Sequence, residues 1–384
     1  MTLLKAFATV NKGMEKVLAQ ELLELNCKNC DVRNEFVIFE VENYEQLCEL
    51  CYTARSPNNV LLFLTEIKIE NIEEDATKQL DITDFTKFLA KENNFKAGYE
   101  KSVSATQDGR EIATTIGGII QDKTGAKVNL TNPELQITCF ILEKEVIVGI
   151  DFCGEDLGKR DYRIFLGQDN LKGNTAFCLL KLAEWNDKKT LLDPFCRSGS
   201  LAIEAALSAK EQPVHYYNKN RFAFLKLPFL KINFEKMFKE IDSRINKKEI
   251  KILCYDPLFQ NLNSAKKNAK IAGVIDEINF SRSEIEWLDI KFEKNIIDCI
   301  VTYPLQATKV FNGKKIEKVY LWLFKNAKYL LKKNGVMLTV AKKNSEELLT
   351  KFALEQGFSV KEKQVFYQGA EELKAIVYQI KENL

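Results

Sequence analysis

Residues 191–207, LLDPFCRSGSLAIEAAL, constrain the fold more than any other stretch of this chain. An apolar strand runs into Asp193, the chain turns through the small residues Cys196, Ser198, Gly199 and Ser200, and an apolar helix begins at Leu201. That order puts backbone amides at a helix N-terminus, where a polar ligand can approach closely. A helix over 172–185 and a strand over 190–192 lead into it. Beyond it the spacing predicts a strand at 250–255, a helix at 262–272, strands at 277–280 and 296–302, a helix at 316–329 and a strand at 336–340. Such alternation predicts an open parallel sheet covered on both faces. The tail reads as a helix over 345–355 and a hairpin of strands 361–367 and 373–379.

The first 155 residues have a different texture. A strand at 4–10, a helix at 12–25, a strand at 35–41, a helix at 44–55 and a strand at 60–69 make a small α+β unit. A second unit is expected from a helix at 82–91, a strand at 101–106, a helix at 110–124 and strands at 135–142 and 145–151. The polar stretch 154–170, GEDLGKRDYRIFLGQDN, has no sustained period and reads as a connector.

Charge divides along the same line. Residues 1–170 carry 19 Lys/Arg against 29 Asp/Glu, and the remainder 37 against 25, so the second part is the better candidate for a phosphate-bearing partner. The N-terminus lacks a long uncharged apolar core, and no window has the run of about 18 apolar residues that a membrane span requires. The expectation is a cytoplasmic protein with no membrane partner. Most of the ten cysteines sit in apolar runs, as free thiols do in a reducing compartment.

Two cysteine pairs, Cys27/Cys30 and Cys48/Cys51, have a spacing that can supply four thiolates to zinc. The second pair lies in a helical run, and neither has a Gly or Pro nearby to wrap an ion, so core cysteines and no metal are expected. His215 is the only histidine, which leaves no independent case for a histidine base.

In a doubly wound sheet, ligands bind at strand C-termini. Asp256 ends the second strand of the alternating part, Glu284 follows the third, and Tyr303-Pro304-Leu305-Gln306 follows the fourth. An acid after the second strand can hold a ribose hydroxyl pair, and one after the third can accept from an adenine amino group. Together they favour a nucleoside ligand.

These segments resemble the THUMP-containing class I S-adenosylmethionine-dependent RNA methyltransferases. DPFCRSGSLAIEAAL looks like the family's first motif, commonly DPFCGSGT followed by IEAA; YDPLFQNLNSAKKNAKIAGV looks like its second-strand segment; DCIVTYPLQ stands in place of D-x-I-x-x-(N/D)PP(Y/F). Upstream, VIVGIDFCGEDLGKRDYRIF resembles the end of a THUMP domain and the hallmark that follows it. The resemblance implies an α/β fold, with a Rossmann-like methyltransferase domain preceded by an α+β ferredoxin-like and THUMP region. Expected boundaries are 1–66 for the ferredoxin-like domain, 67–155 for THUMP, 156–171 for a linker and 172–384 for the methyltransferase domain. The interval from Asp193 to Asp256 is 63 residues, which an insertion at 208–248 explains; its aromatic and basic mixture either touches RNA or covers the sheet.

By the same resemblance, the cofactor is S-adenosylmethionine. Asp193, Phe195, Cys196, Arg197 and Gly199 would surround its methionine part, Asp256 its ribose and Glu284 its adenine, with Asn170 and Lys172 on the border. Two departures bear on the chemistry. Arg197 stands where the family has Gly, and it either points away, meets the cofactor carboxylate or blocks the pocket. Tyr303, Leu305 and Gln306 replace the amide or acid, the second Pro and the aromatic residue; Tyr303 is expected to stack on a base, with Pro304 and Gln306 supplying carbonyl acceptors. The activity implied is methylation of structured RNA, with tRNA at guanine N2 first and rRNA second. The alternative is a noncatalytic relative that binds RNA or a protein partner.

Overall fold

A computed structural model describes residues 3–167, 169–308 and 313–381. The chain forms two compact units, one of residues 1–157 with 216–243, the other of residues 158–215 with 244–384.

The first unit opens with β1 (Leu4–Thr9), α1 (Glu15–Glu24), β2 (Lys28–Arg33), β3 (Phe36–Val41), α2 (Tyr44–Thr53) and β4 (Asn59–Lys68). It continues through α3 (Ile72–Ile82), β5 (Asn94–Lys101), α4 (Gly109–Thr124), β6 (Lys127–Val128), β7 (Leu135–Ile141) and β8 (Glu145–Asp151). All eight strands join one sheet in the order β2-β3-β1-β4-β8-β7-β5-β6. The boundary expected at 66/67 therefore falls inside β4, which pairs with β1 on one side and β8 on the other. Phe7, Phe36, Phe140 and Leu61 pack as one apolar cluster. Gly149 on β8 admits this packing, because a Cβ there would lie 2.5 Å from the Phe7 ring.

Three local expectations are corrected here. The helix expected at 82–91 lies instead at α3, followed only by a short 3-10 turn at Phe85–Lys87. Ala76 and Leu80, one turn apart, are its buried positions, and Glu73, Glu74 and Asp75 favour its N-terminus. The strand expected at 101–106 ends at Lys101, and β2 was not foreseen because its residues are mostly exposed and lack alternation.

The second unit runs through α5 (Gly173–Leu182), β9 (Leu191–Asp193) and α6 (Ser200–Ala209) before the chain departs for residues 216–243, which contain α7 (Phe234–Asp242). This excursion, expected as an insertion in the methyltransferase domain, groups with the first unit. Its backbone donates from Ala223 N to Cys153 O and from Phe224 N to Phe152 O, and its Phe222 and Phe238 rings pack 6.0 and 4.8 Å from Tyr52. Tyr52 Oη also donates to Asp242 at 2.7 Å. Phe222, Phe224 and Phe238 thus serve a core, a use that composition does not separate from RNA contact, while Tyr217 is exposed.

The chain returns with β10 (Ile252–Asp256), α8 (Phe259–Ala272), β11 (Ile278–Arg282), α9 (Leu288–Lys291), β12 (Ile297–Thr302), α10 (Lys314–Leu330), β13 (Leu331–Ala341), α11 (Lys343–Glu355), β14 (Phe358–Gln368) and β15 (Glu371–Ile380). The sheet order is β11-β10-β9-β12-β13-β15-β14, parallel except for β15, which is antiparallel to both neighbours. The order reverses at β9, so the C-terminal ends of β9, β10 and β12 flank the switch point where ligands bind.

Residues 158–171 do not form a free connector. Arg160 and Tyr162 are buried, and both bond Glu204 on α6. Part of the polar composition that reads as a linker is thus buried pairing, whereas Lys159, Asp161 and residues 164–167 are exposed.

Candidate active site

β9 delivers Asp193 to the sheet's C-terminal edge. The side chain is 1% exposed, and Oδ1 accepts from Thr302 Oγ1 at 2.7 Å and from Phe195 N at 3.2 Å. Burial, with a smaller contribution from the nearby Asp256 charge, pushes its carboxyl up to about 7. Thr302, the last residue of β12, was not foreseen as a partner, since the residue before Tyr303 carries no motif signal.

The loop after β9 is held at both ends. Cys196 N donates to Tyr255 O and Gly199 N to Cys196 O. Ser198 N donates to Asn170 Oδ1 at 3.2 Å, and Asn268 Nδ2 on α8 donates to Ser198 O at 3.0 Å. Gly199 has φ +85°, and a Cβ there would lie 2.9 Å from Ala265 Cβ, so glycine is required for this approach of loop to α8.

Asp256, 2% exposed, ends β10 with both oxygens engaged. Oδ1 accepts from Leu258 N and Asn261 Nδ2, each at 2.9 Å, and Oδ2 accepts from Arg197 N at 3.0 Å. Burial raises its carboxyl above the usual range. Glu284 is exposed and lies just past β11, beside Ser283, whose N–H donates to Asp256 O.

Arg197 holds a left-handed backbone at φ +54°, which is costly for a residue with a Cβ. Its Nη2 reaches across to Pro304 O at 3.3 Å, and its guanidinium carbon lies 5.8 Å from the Tyr303 ring centroid. Arg197 Nε and Tyr303 Oη are both buried without a hydrogen-bond partner. With Asp193, Asn170, Phe195, Cys196, Ser198 and Ser200, the Arg197 and Tyr303 side chains line a narrow recess of about 220 Å³.

The fourth-strand loop differs from the expectation of a base-binding pair. Tyr303 is 3% exposed, beneath the Arg197 side chain rather than presented to a base. Gln306 turns inward: Nε2 donates to Pro304 O at 2.8 Å and Val340 O at 3.2 Å, and Oε1 accepts from Lys342 N at 2.8 Å. Pro304 O accordingly carries two donors, which uses both its lone pairs.

Of the residues expected around the cofactor, Asn170, Asp193, Phe195, Cys196 and Arg197 line the recess with Tyr303. Gly199 and Asp256 support the loop from behind, whereas Lys172 engages through its backbone N–H, which donates to Gln368 Oε1 at 2.6 Å. Ser198, in the turn through Gly199, also lines the recess, as do Asp169 and Ser200, which the sequence does not single out. Ser198 and Ser200 lie within the quoted motif.

Among the described residues, no group of three or more His, Cys, Asp or Glu is placed to hold a metal ion. Cys51 Sγ lies 3.5 Å from Cys153 Sγ, not beside Cys27 and Cys30 as one zinc set would need. His215 is buried with Nδ1 3.0 Å from Asp161 Oδ2. Among the described residues no helix is long and apolar enough to cross a membrane.

Comparison with known proteins matches three family models: an RMKL-like methyltransferase domain over residues 160–372, a THUMP domain over 70–151 and an RlmL ferredoxin-like domain over 5–61. The chain is 28% identical to a tRNA (guanine(6)-N2)-methyltransferase of Methanocaldococcus jannaschii, covering 93% of this chain and 94% of that protein. It is 26% identical to a ribosomal RNA large subunit methyltransferase K/L of Buchnera aphidicola, covering 85% of this chain but 48% of that one. A solved chain complexed with SAH shares the fold, with a TM-score of 0.80 at 20% identity and full coverage of both.

Proposed function

The chain belongs to the RMKL-like methyltransferase family, and from that premise we propose that it transfers the methyl group of S-adenosylmethionine to structured RNA, with guanine N2 of a tRNA as acceptor. The observation that carries this reading is the meeting of Asp193, Asp256 and the Phe195–Gly199 loop at the C-terminal ends of adjacent parallel strands β9 and β10. The THUMP match and the basic balance of residues 171–384 favour RNA, and coverage of nearly the whole tRNA enzyme against half of the rRNA enzyme favours tRNA.

The residues present fit the cofactor. The buried, unpartnered Arg197 Nε and Tyr303 Oη need an acceptor, which a ligand carboxylate supplies. This reading assigns Asp256 to the ribose and Asp193 to the methionine end. S-adenosylmethionine brings an already electrophilic methyl group, which leaves alignment, exclusion of water and capture of an extruded base to the protein.

A second reading, a noncatalytic RNA-binding relative, is favoured by one observation: Pro304 O is already occupied by Arg197 and Gln306, leaving a base amine no acceptor there. Calorimetric titration with S-adenosylmethionine, with Asp256→Ala as control, followed by transfer of labelled methyl to tRNA transcripts, separates the two. Saturable binding and incorporation at one guanine supports transfer. Saturable binding with no incorporation into any cellular RNA leaves the noncatalytic reading.

A further inference from the structure

We propose that the exposed face of α8 is a docking surface for a single-stranded stretch of RNA, with Lys266, Lys267 and Lys270 taking its phosphates and Phe259 stacking on one of its bases. The inference rests on the RNA reading above and says which surface of the second unit holds the strand.

From Phe259 to Ala272, α8 contains three lysines and no acid. Helical spacing puts Phe259, Asn263, Lys266 and Lys270 on one face, a stripe about 16 Å long, and all four are exposed. Lys267 lies at its side, with Nζ 4.7 Å from the Phe165 ring centroid. Exposed lysines elsewhere in this unit, such as Lys248, Lys332 and Lys361, each meet an acid. Among the described residues, no carboxylate pairs with the three on α8. Lys266 and Lys270, four residues apart, instead repel each other, a cost to the helix that a bound polyanion relieves.

Phe259 is 65% exposed at the start of the stripe, with Leu258 exposed beside it. A bare aromatic ring in line with unpaired cations is the equipment of a single-strand site, the ring for a base and the cations for the backbone. An apolar protein surface laid on the same face would strip water from three lysines and give them no partner, so charge favours the polyanion.

The face is also tied to the β9 loop. The buried Asn268 accepts from Phe165 N at 3.0 Å and donates through Nδ2 to Phe165 O at 2.9 Å and to Ser198 O at 3.0 Å. One side chain thus holds the turn under Lys267 against the loop that lines the recess, and a strand on α8 lies next to the site.

The test is fluorescence-anisotropy titration of a labelled tRNA transcript with the full chain over a range of KCl concentrations. One variant carries Lys266→Gln, Lys267→Gln and Lys270→Gln, a second carries Arg at the same three positions, and a control of equal charge carries Lys314→Gln, Lys325→Gln and Lys328→Gln on the exposed face of α10. The α8 Gln variant is expected to bind ~tenfold or more weakly, with a slope of log affinity against log salt shallower by ~2, and the Arg variant to bind as the wild type does. Phe259→Ala is expected to lose ~fivefold or more with its salt slope unchanged. Wild-type affinity in the α8 Gln variant, an equal loss in the α10 control, or a loss that Arg does not restore overturns the proposal while leaving RNA binding intact. A loss on removing the lysines with none in Phe259→Ala also overturns it, by assigning the face to duplex phosphates. Failure of the wild type to bind tRNA transcripts overturns the RNA reading and the proposal with it.

Discussion

Arg160 and Glu204 meet in a two-point ion pair with both side chains fully buried, Nε 2.9 Å from Oε1 and Nη2 3.2 Å from Oε2. Tyr162 Oη adds a third donor to Glu204 at 2.8 Å. The pair fastens the segment before α5 to α6, the helix after the β9 loop. Gly173 is what makes room, since a Cβ there would lie 2.4 Å from Arg160 Cγ. The same segment then carries Asn170 to Ser198 N and Leu171 O to Ser200 Oγ, so the pair sets one wall of the recess.

Removing one partner leaves a buried charge uncompensated. Glu204→Ala is expected to lower unfolding free energy by about 3–5 kcal/mol, measured by urea denaturation. A loss under about 1 kcal/mol would mean that solvent or another group takes the carboxylate's place.

Asp193 makes the site pH-dependent. Its carboxyl is raised from 3.8 to about 7, so its contribution to stability is fully present below about pH 4 and is lost as pH rises through 7. Asp193→Asn, neutral at every pH, is therefore expected to be more stable than the wild type at pH 8 by up to a few kcal/mol, with the gain gone near pH 4. Binding of the ammonium group at the amino acid end of S-adenosylmethionine favours the ionised form, so affinity should rise between pH 6 and 8 in the wild type and stay flat in Asp193→Asn. Equal pH profiles for the two proteins would show that Asp193 does not face that end.

Much of this arrangement is legible in the sequence because strand-to-loop-to-helix motifs are local. Asp193 and Asp256 end β9 and β10, Gly199 takes a left-handed turn before α6, and the alternating strands from β9 to β13 follow from apolar periodicity. What the sequence hides is pairing over long separations. Nothing local tells that Glu204 receives Arg160, that Thr302 holds Asp193, or that Gln306 spends its amide on Pro304 and Val340. The excursion 216–243 hides for the same reason, since its Phe and Lys residues suit a nucleic-acid surface as well as a core.

Phe224 tests where that excursion belongs. It is fully buried, stacked 5.0 Å from Phe222 and tilted 5.3 Å from Phe234, and its N–H donates to Phe152 O just past β8. Phe224→Ala should cost about 3–5 kcal/mol. Hydrogen exchange localises the loss: amides of β4 and β8 lose protection, while those of β9, β10 and β12 keep theirs. Loss of protection confined to β9, β10 and β12 would place the excursion with the wrong unit.

Tyr303 offers the sharpest test of the recess itself. Its ring is buried under the Arg197 guanidinium, and its hydroxyl is buried with no hydrogen-bond partner. An unsatisfied buried hydroxyl costs about 1–3 kcal/mol, whereas the ring's packing is unaffected by its removal. Tyr303→Phe should therefore raise the melting temperature of the ligand-free protein, contrary to the usual effect of a core substitution. The same variant should bind S-adenosylmethionine more weakly, because the lost hydroxyl is one of the two donors left for a ligand carboxylate. Thermal unfolding with and without cofactor reads both effects at once: a stabilised free protein with a smaller ligand-induced shift is expected. A destabilised free protein would show that the hydroxyl is satisfied, and an undiminished shift would show that the carboxylate lies elsewhere.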